Sequence, residues 1–386
     1  VMGMAPYGTP KYVDKVEKVI DVRPDGSFRL NMAYFDFHHS ATRTYSQKFV
    51  ELFGPPRDPK SPFITECTHP GSEAPREVKE RNQYYADVAA SIQKVTEETL
   101  LKMARHLHME TGARYLCMAG GVALNSVANG RILRETPFES LYIQPAAGDS
   151  GGALGAALYV WHVLLGHPRQ FTLEHAYWGQ AYSDAQVERF LREHGVRYQH
   201  IEDDQLIEML VDDLTAGRVV GWYQGRFEWG PRALGNRSIL ADPRRAEMKE
   251  IVNEKIKFRE PFRPFAPVVL EEAAADYFQL DQPNYHYPPR FMLMVTPVRE
   301  EKQSVIPAVT HVGGTGRLQS VRREWNPRYY DLIARFGEAT GVPVLLNTSF
   351  NLRGEPIVNT PADAMHTFGK SGIDVLVLGN YVVRKQ

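Results

Sequence analysis

The sequence predicts an α/β fold in its first part and an α+β fold in the rest. In the first part, the order strand, glycine loop, helix occurs twice. Residues 114–118 are predicted as a strand before Gly120-Gly121, and residues 141–143 as a strand before the loop 146–152. Beyond residue 183, predicted strands and helices follow one another without strict alternation. Because helix N-termini after glycine loops bind phosphate groups, the first part already indicates an anionic ligand.

The length indicates two domains. The chain has 386 residues, of which 43% are hydrophobic, and this is enough for two buried cores. Between residues 167 and 183 the periodicity is weak and polar breaks are frequent. We therefore place a domain boundary there and predict domains over residues 1–170 and 171–386.

The remaining elements follow from periodicity and capping. A helix is predicted over residues 85–108 and ends at Gly112. Thr360, Pro361 and Asp363 predict a helix start, with a capping hydroxyl, a proline in the first turn and an early acid. The second domain has further predicted helices at 185–194 and 204–214, and strands at 219–223, 265–270, 291–296, 342–346 and 375–378.

Composition and charge argue against several function classes. The net charge of -1 provides no overall electrostatic footprint for nucleic acid. The longest apolar stretch, residues 153–166, is too short to cross a bilayer and is predicted as a core helix. Cys67 and Cys117 form no disulfide framework, and Cys117 is predicted as a buried thiol. We expect a cytoplasmic protein without nucleic-acid or membrane partners, and a homodimer is one assembly that we consider.

The most informative motif runs from Gly225 to Pro243 and has the sequence GRFEWGPRALGNRSILADP. Glycine lets the backbone approach a ligand, and arginine cannot lose its proton, so clustered and partly buried arginines need an anionic partner. A second polar run, NTSFNLRGEP at residues 347–356, follows an apolar strand. Together the two runs predict that the chain binds a phosphorylated small molecule.

The alternative for each arginine is an ion pair with a nearby acid. We favour this alternative for Arg226, Arg244 and Arg245, which lie beside acids or in a polar helix start. For Arg232 and Arg237, within the glycine-proline frame, we favour ligand binding.

Six motifs, in order, resemble the O-carbamoyltransferase family, which includes nodulation, cephamycin and tobramycin carbamoyltransferases. They are MGMAPYG at 2–8, GGVALN at 120–125, GDSGG at 148–152, GPRALGNRS at 230–238, RPFAP at 263–267 and the run at 347–358. The resemblance implies a partial actin-like (sugar kinase-like) domain over residues 1–170, followed by a YrdC-like domain over residues 171–386.

The chain also departs from the family pattern. The family carries a first lobe with a His-His-x-x-His segment before the motif at residues 2–8, and the chain instead begins at Val1. We expect a fragment whose N-terminal lobe belongs to the same intact protein. The pair His38-His39 lacks the third histidine and is predicted to lie on the surface.

For the second domain, the resemblance implies that ATP and carbamoyl phosphate are converted to carbamoyl-adenylate. It assigns catalytic and ligand-binding roles to Arg232, Lys257 and Arg317. The further ligand-binding positions that it implies are Arg237, Arg263, Asn347, Ser349 and Arg353. Glu355 could instead neutralise Arg353, and His311 is a further candidate contact to the same ligand.

For the first domain, the resemblance implies an adenylate loop and a metal ligand. Gly120, Gly121 and Asn125 match the loop, although a tight turn and a helix cap are the alternatives. Asp149 matches the family's carboxylate ligand to a divalent metal, with Fe²⁺ implied there and Mg²⁺ expected with ATP. On residue type alone, an Asx turn before two glycines would be the favoured interpretation of Asp149.

The resulting hypothesis is an ATP-dependent transferase that carries a carbamoyl group to a hydroxyl of a small-molecule acceptor, such as an antibiotic, a sugar or another natural product. One alternative is a threonylcarbamoyl-transferase acting on tRNA, which the near-neutral charge disfavours. A second alternative is a nucleotide-binding module without catalysis.

Overall fold

The computed structural model describes residues 1–59, 61–260, 262–280 and 287–385. The chain divides into two compact units. The first comprises Val1–Tyr115, Gly130–Glu139 and Glu260–Arg263, and the second comprises Leu116–Asn129, Ser140–Arg259 and Pro264–Gln386. Residues 140–170 therefore pack with the second unit, and the domain boundary at residues 170 and 171 stays a prediction.

The first unit is built on one long helix. Its elements are α1 (Val13–Val19), β1 (Ile20–Val22), β2 (Phe28–Leu30), α2 (Gln47–Phe53) and α3 (Arg76–Thr111). The helix predicted over 85–108 is confirmed and is longer at both ends. It ends at Gly112, whose φ of 62° is the left-handed conformation that glycine adopts without strain. Val16, Val19 and Phe53 pack with Val95 of α3 to form the core.

The two predicted strand, glycine loop and helix segments are confirmed. They are β3 (Tyr115–Met118) with α4 (Ser126–Glu135), and β4 (Ser140–Ile143) with α5 (Gly151–Tyr159), which continues as a π-helix over Val160–Leu164. β3 and β4 form a two-stranded sheet.

Two burial predictions for this region are wrong. The helix over residues 153–166 is not a core helix, since Trp161 is 50% exposed and Leu164 is 65% exposed. Cys117 is exposed and not buried. Apolar sequence predicts burial only where another element covers it, and within the described residues these side chains stay accessible to solvent.

The rest of the second unit is built on a large mixed sheet. Its elements are α6 (Asp184–Glu193), β5 (Gln199–His200), α7 (Asp203–Thr215), β6 (Val220–Tyr223), β7 (Arg237–Ala241), α8 (Met248–Ile251), β8 (Ala266–Leu270), α9 (Ala274–Tyr277), α10 (Tyr287–Arg290), β9 (Val295–Pro297), α11 (Glu300–Gln303), β10 (Thr315–Arg317), β11 (Gln319–Val321), α12 (Pro327–Thr340), β12 (Val344–Ser349), α13 (Pro361–Lys370), β13 (Val375–Leu378) and β14 (Tyr381–Arg384). The helix start predicted at Thr360 is confirmed as a capping box with Asp363.

Eight strands form the main sheet, in the order β11-β8-β12-β7-β6-β13-β14-β5. The pairs β11–β8 and β6–β13 are parallel, and the other neighbours are antiparallel. The sequence analysis did not predict β7, which lies between β12 and β6. In this register Arg237 pairs with Tyr223, and Ser238 pairs with Ser349.

Both faces of the main sheet are covered by helices. One face carries Ile239, Val269 and Leu346, packed against α6 and α13. Alternate residues of the same strands, such as Leu240 and Val268, face α7 and α12. Burial on both faces explains why strands such as β8 and β13 are apolar throughout. The α/β class with a large mixed sheet is thus confirmed.

Among the described residues, no helix combines the length and the apolar character that crossing a bilayer requires.

Candidate functional site

The turn between β6 and β7 folds around a buried carboxylate. Glu228 is 2% exposed, and its Oε1 accepts backbone N–H groups of Leu234 (2.7 Å), Asn236 (2.7 Å) and Arg237 (3.2 Å). Burial raises the pKa of the Glu228 carboxyl, and these hydrogen bonds oppose the rise. Several N–H groups around one oxygen form an anion-binding concavity. The carboxylate therefore anchors both sides of the segment that carries Arg232.

Two glycines let this turn approach its neighbours closely. Gly230 has a φ of 131°, and a Cβ there would lie 2.8 Å from the carbonyl oxygen of Pro145. Gly235 has a φ of 112°, and a Cβ there would lie 2.2 Å from the ring of Tyr329. Both positions therefore require glycine, for conformation and for space.

Arg237 points into the protein interior and not toward a ligand. It is 0% exposed, and its guanidinium lies 3.7 Å from the ring centroid of Tyr223. Its NH1 donates to the carbonyl oxygens of Gln224 (2.5 Å) and Asn236 (2.9 Å). A guanidinium held by carbonyls and an aromatic face needs no bound anion. We leave Arg237 out of the site for this reason.

Arg232 and Arg317 are two neighbouring cations for which the described residues provide no carboxylate counter-ion. Each side chain is partly accessible, but each Nε is buried and has no hydrogen-bond acceptor. Burial lowers the pKa of the Arg232 guanidinium. Burial also lowers the pKa of Arg317 well below its usual range, and the charges of Arg232 and Arg259 lower it further.

Among the described residues, no carboxylate pairs with Arg232 or with Arg317. Two neighbouring buried cations repel each other and lose hydration, so an anion between them would recover both losses. The structure brings these two predicted site residues together.

A buried amide network holds the backbone beside Arg232. Asn347 is 1% exposed, and its Nδ2 donates to the carbonyl oxygen of Ala233 (3.2 Å) and to Oε1 of Gln319 (2.6 Å). The Nε2 of Gln319 donates in turn to the carbonyl oxygen of Leu234 (2.7 Å). Asn347 thus supports the predicted site from behind.

Sequence reasoning missed Gln319, which lies two residues after Arg317. The signal that could have found it is a polar residue at a buried strand position.

Lys257 and Ser349, two of the predicted site residues, are brought together at the end of β12. The ammonium of Lys257 is 3% exposed and donates to the carbonyl oxygen of Ser349. It also donates to the Ser349 hydroxyl (3.2 Å) and to Oδ1 (2.6 Å) and the carbonyl oxygen (3.0 Å) of Asn351. In this structure Lys257 organises the loop after β12, and its catalytic role stays a prediction.

Two other predicted cations lie elsewhere. Arg263 belongs to the first compact unit, where its Nε lies 3.0 Å from Oε2 of Glu260. Arg353 is exposed in the loop after β12. The ligand-binding roles of Arg263 and Arg353 stay predictions.

The two glycine loops of the second unit are joined by a backbone hydrogen bond. Gly120, with a φ of 98°, donates its N–H to the carbonyl oxygen of Ala147 (2.7 Å). Asn125 caps α4, since its Oδ1 accepts the N–H of Ala128 (3.2 Å). This supports the capping alternative, and the ligand roles of Gly120, Gly121 and Asn125 stay predictions.

A cleft of about 620 Å³ lies beside these loops. Its lining comes from both glycine loops, from the segment before α6 and from the turn that carries Arg232: Leu124, Ala146, Gly148, Ser150, Trp178, Gly179, Phe227, Glu228, Trp229, Gly230 and Pro231. Pro231 is adjacent to Arg232 in sequence, so Arg232 and part of the cleft lining belong to one turn. A cleft of this volume is within the usual range for a small-molecule site.

The described residues do not form a complete metal site. Asp149 is exposed, and its carbonyl oxygen accepts the N–H of Gly152. Within the described ranges, no group of three His, Cys, Asp or Glu side chains could hold a metal ion. An isolated exposed carboxylate does not fit the donor set of an iron centre.

The fold and this site define an α/β protein with two neighbouring arginines and an open cleft whose lining includes Pro231, the residue before Arg232. Residues 1–158 match the family described as carbamoyltransferase N-terminus, and residues 211–385 match carbamoyltransferase C-terminus. The chain therefore belongs to the carbamoyltransferase family. The predicted boundary at residues 170 and 171 falls in the stretch that neither match covers.

Several relatives resemble the chain over most or all of its length. It is 45% identical to an uncharacterized protein of Synechocystis over 100% of the chain and 63% of that protein. It is 40% identical to the nodulation protein NolNO of Sinorhizobium fredii over 100% of the chain and 52% of that protein. It is 36% identical to the 3'-hydroxymethylcephem-O-carbamoyltransferase of Amycolatopsis lactamdurans over 73% of the chain and 51% of that enzyme. The chain thus spans between half and two thirds of the length of these relatives.

Proposed function

We propose that the protein containing this chain is an ATP-dependent O-carbamoyltransferase. It forms carbamoyl-adenylate from carbamoyl phosphate and ATP and transfers the carbamoyl group to a hydroxyl of a small-molecule acceptor. The observation that carries the proposal is the pair Arg232 and Arg317, whose Nε atoms are buried and which has no carboxylate partner among the described residues. Family membership supplies the carbamoyl group as the unit transferred.

Activation of the carbamoyl group proceeds in two steps. Water first converts carbamoyl phosphate to carbamate and inorganic phosphate. A carbamate oxygen then bonds to the α-phosphorus of ATP, the bond to the β-phosphate bridging oxygen breaks, and pyrophosphate leaves. Both steps gather negative charge at one place, so fixed cations and correct positioning supply most of the catalysis.

Arg232 and Arg317 take the cationic roles in this activation. The backbone on the C-terminal side of Arg232 is held in place before any ligand arrives, by the Glu228 turn and by the Asn347–Gln319 network. Preorganised donors avoid the cost of reorganisation during the reaction. Each charge-assisted hydrogen bond to phosphate contributes about 1.5–3 kcal/mol. Lys257 acts with them by fixing the position of Ser349.

Transfer is placed in the cleft beside the glycine loops. The acceptor hydroxyl oxygen bonds to the carbamoyl carbon and loses its proton, while the bond from that carbon to the AMP oxygen breaks. We place the adenylate at Gly120 and Gly121, where backbone N–H groups precede a helix. Within this scheme residues 1–170 are an actin-like domain and residues 171–386 a YrdC-like domain, in a cytoplasmic enzyme.

Metal participation is a separate part of the proposal. Mg²⁺ would accompany ATP. Iron at Asp149 would need ligands beyond those that the described residues offer.

The test is pyrophosphate release from ATP that requires carbamoyl phosphate. We expect Arg232→Ala and Lys257→Ala each to abolish it. Arg335→Ala is the matched control, because Arg335 is an exposed arginine paired with Glu338 at 3.0 Å, and it should retain wild-type rates. ATP binding without release would indicate a binding module, and near wild-type turnover in both site variants would remove the assignment.

A further inference from the structure

His311 lies on the same face of a hairpin as Arg317. His311 and Thr315 form an antiparallel bridge around the turn that contains Gly313 and Gly314, and Arg317 follows two residues later on β10. Paired residues of a hairpin point to the same side, as do residues two apart on a strand. The imidazole is therefore directed to the side of the sheet where the guanidinium of Arg317 lies.

The hydrogen bonding of the ring determines its tautomer. Nε2 lies 3.0 Å from the carbonyl oxygen of Phe265. A carbonyl can only accept, so Nε2 carries the proton and Nδ1 has a free lone pair. Within the described residues, no donor lies within hydrogen-bond distance of Nδ1. The residue is not fully buried, so a ligand can reach it.

The imidazole stays neutral at physiological pH. Burial lowers the pKa of His311 to about 4, and the nearby charges of Arg317 and Lys249 add to the effect, against the hydrogen bond to Phe265. Because the ring does not become a second donor, Nδ1 remains a hydrogen-bond acceptor next to the guanidinium of Arg317.

We propose that His311 is the specificity-determining residue that recognises the amino group of carbamoyl phosphate. This proposal rests on the function proposed above. Arg232 and Arg317 offer only donors, and donors recognise any acyl phosphate equally well. The carbamoyl group differs from an acetyl group of the same shape by carrying N–H donors where acetyl has a methyl. An acceptor at Nδ1 distinguishes the two, because a methyl group leaves the lone pair of Nδ1 desolvated and unpaired.

A second unpaired acceptor is nearby, but it is out of reach. Oδ1 of Asn347 has no hydrogen-bond partner among the described residues and is fully buried. The ligand's amino group therefore meets Nδ1 of His311 first.

The test compares the binding of carbamoyl phosphate, acetyl phosphate and inorganic phosphate by calorimetry. Wild type should prefer carbamoyl over acetyl phosphate by about 10- to 100-fold. His311→Phe should bring this ratio to within about 3-fold, while inorganic phosphate binds as before. His311→Asn should restore part of the ratio, because its amide oxygen can take the place of Nδ1.

The outcomes separate this inference from the proposed function. Normal binding of inorganic phosphate by His311→Phe or His311→Asn is the control for an intact site. If this control holds and His311→Phe keeps the full preference for carbamoyl over acetyl phosphate, the role of His311 is overturned. Equal wild-type affinity for the two acyl phosphates overturns it as well. Failure of wild type to bind inorganic phosphate or carbamoyl phosphate at all would instead refute the cation site formed by Arg232 and Arg317.

Discussion

Replacing Arg317 by methionine should stabilise the free protein and at the same time weaken its response to phosphate. Arg317 is a cation beside Arg232, and no carboxylate among the described residues neutralises either one. Methionine fills a similar volume without the desolvation cost or the repulsion. Replacing poorly compensated buried charge by apolar groups stabilises proteins by about 1–4 kcal/mol. For domains of this size, each kcal/mol raises the melting temperature by about 2–4 °C.

The stabilisation that the protein gains from bound phosphate should decrease in Arg317→Met. A ligand at 100 times its Kd stabilises a protein by about 2.7 kcal/mol. Losing one charge-assisted hydrogen bond weakens binding by about 10- to 150-fold. At the same phosphate concentration, the stabilisation of Arg317→Met should then be only about 0.3–1.4 kcal/mol. Differential scanning calorimetry with and without phosphate measures both quantities.

The matched control is Arg244→Met. Arg244 donates from Nε (2.9 Å) and NH2 (2.7 Å) to the carboxylate of Asp242, which is 0% exposed. Its loss leaves a buried carboxylate without its cation, so this variant should lose at least about 1 kcal/mol and keep its phosphate response. If Arg317→Met were destabilised as much as Arg244→Met, Arg317 would have a structural partner, and the argument for an anion site would fail.

Three further predictions concern the surroundings of the site. Gly235→Ala should destabilise the protein by more than about 2 kcal/mol, because the Cβ would lie 2.2 Å from the Tyr329 ring at a φ of 112°. Gly148→Ala, with open space around its Cβ, is the control in urea unfolding, and equal midpoints would contradict the packing argument. Glu228→Ala should lower the free energy of unfolding by at least about 2 kcal/mol, because three backbone N–H groups lose their acceptor. A variant as stable as wild type in the same assay would refute the anchoring role of Glu228. The pKa of His311 is about 4 in the folded protein against 6.5 in the unfolded chain. The contribution of neutral His311 to the free energy of unfolding is therefore full above pH 6.5 and is lost as the pH falls toward 4. Wild type should therefore lose more stability than His311→Asn between pH 7 and pH 4.5, and parallel losses would contradict this.

Local patterns in the sequence were sufficient for much of the fold. Gly112 ended α3, and Thr360 began α13 with the predicted capping box, because caps depend on a few adjacent residues. The apolar run at residues 375–378 became β13 with the same bounds.

Other elements depended on partners far away in the chain. β7 was not predicted, because a strand that begins with Arg237 becomes recognisable only when β6 and β12 pair on either side of it. The apolar helix after Gly151 was predicted to be buried, but burial depends on what packs against a helix as well as on its own residues.

For the candidate site, the sequence alone predicted the chemical type of the ligand. Arginines in a glycine-proline frame predicted an anion, since a guanidinium keeps its charge under all conditions in a protein. Only the tertiary structure showed which of these arginines remain available for the proposed ligand. The sheet turned Arg237 inward onto Tyr223 and carbonyl oxygens, while Arg232 and Arg317 were left near each other without a carboxylate partner among the described residues. The physical reason is that charge and hydrogen-bonding capacity belong to a residue type, whereas the partners that satisfy them depend on long-range packing.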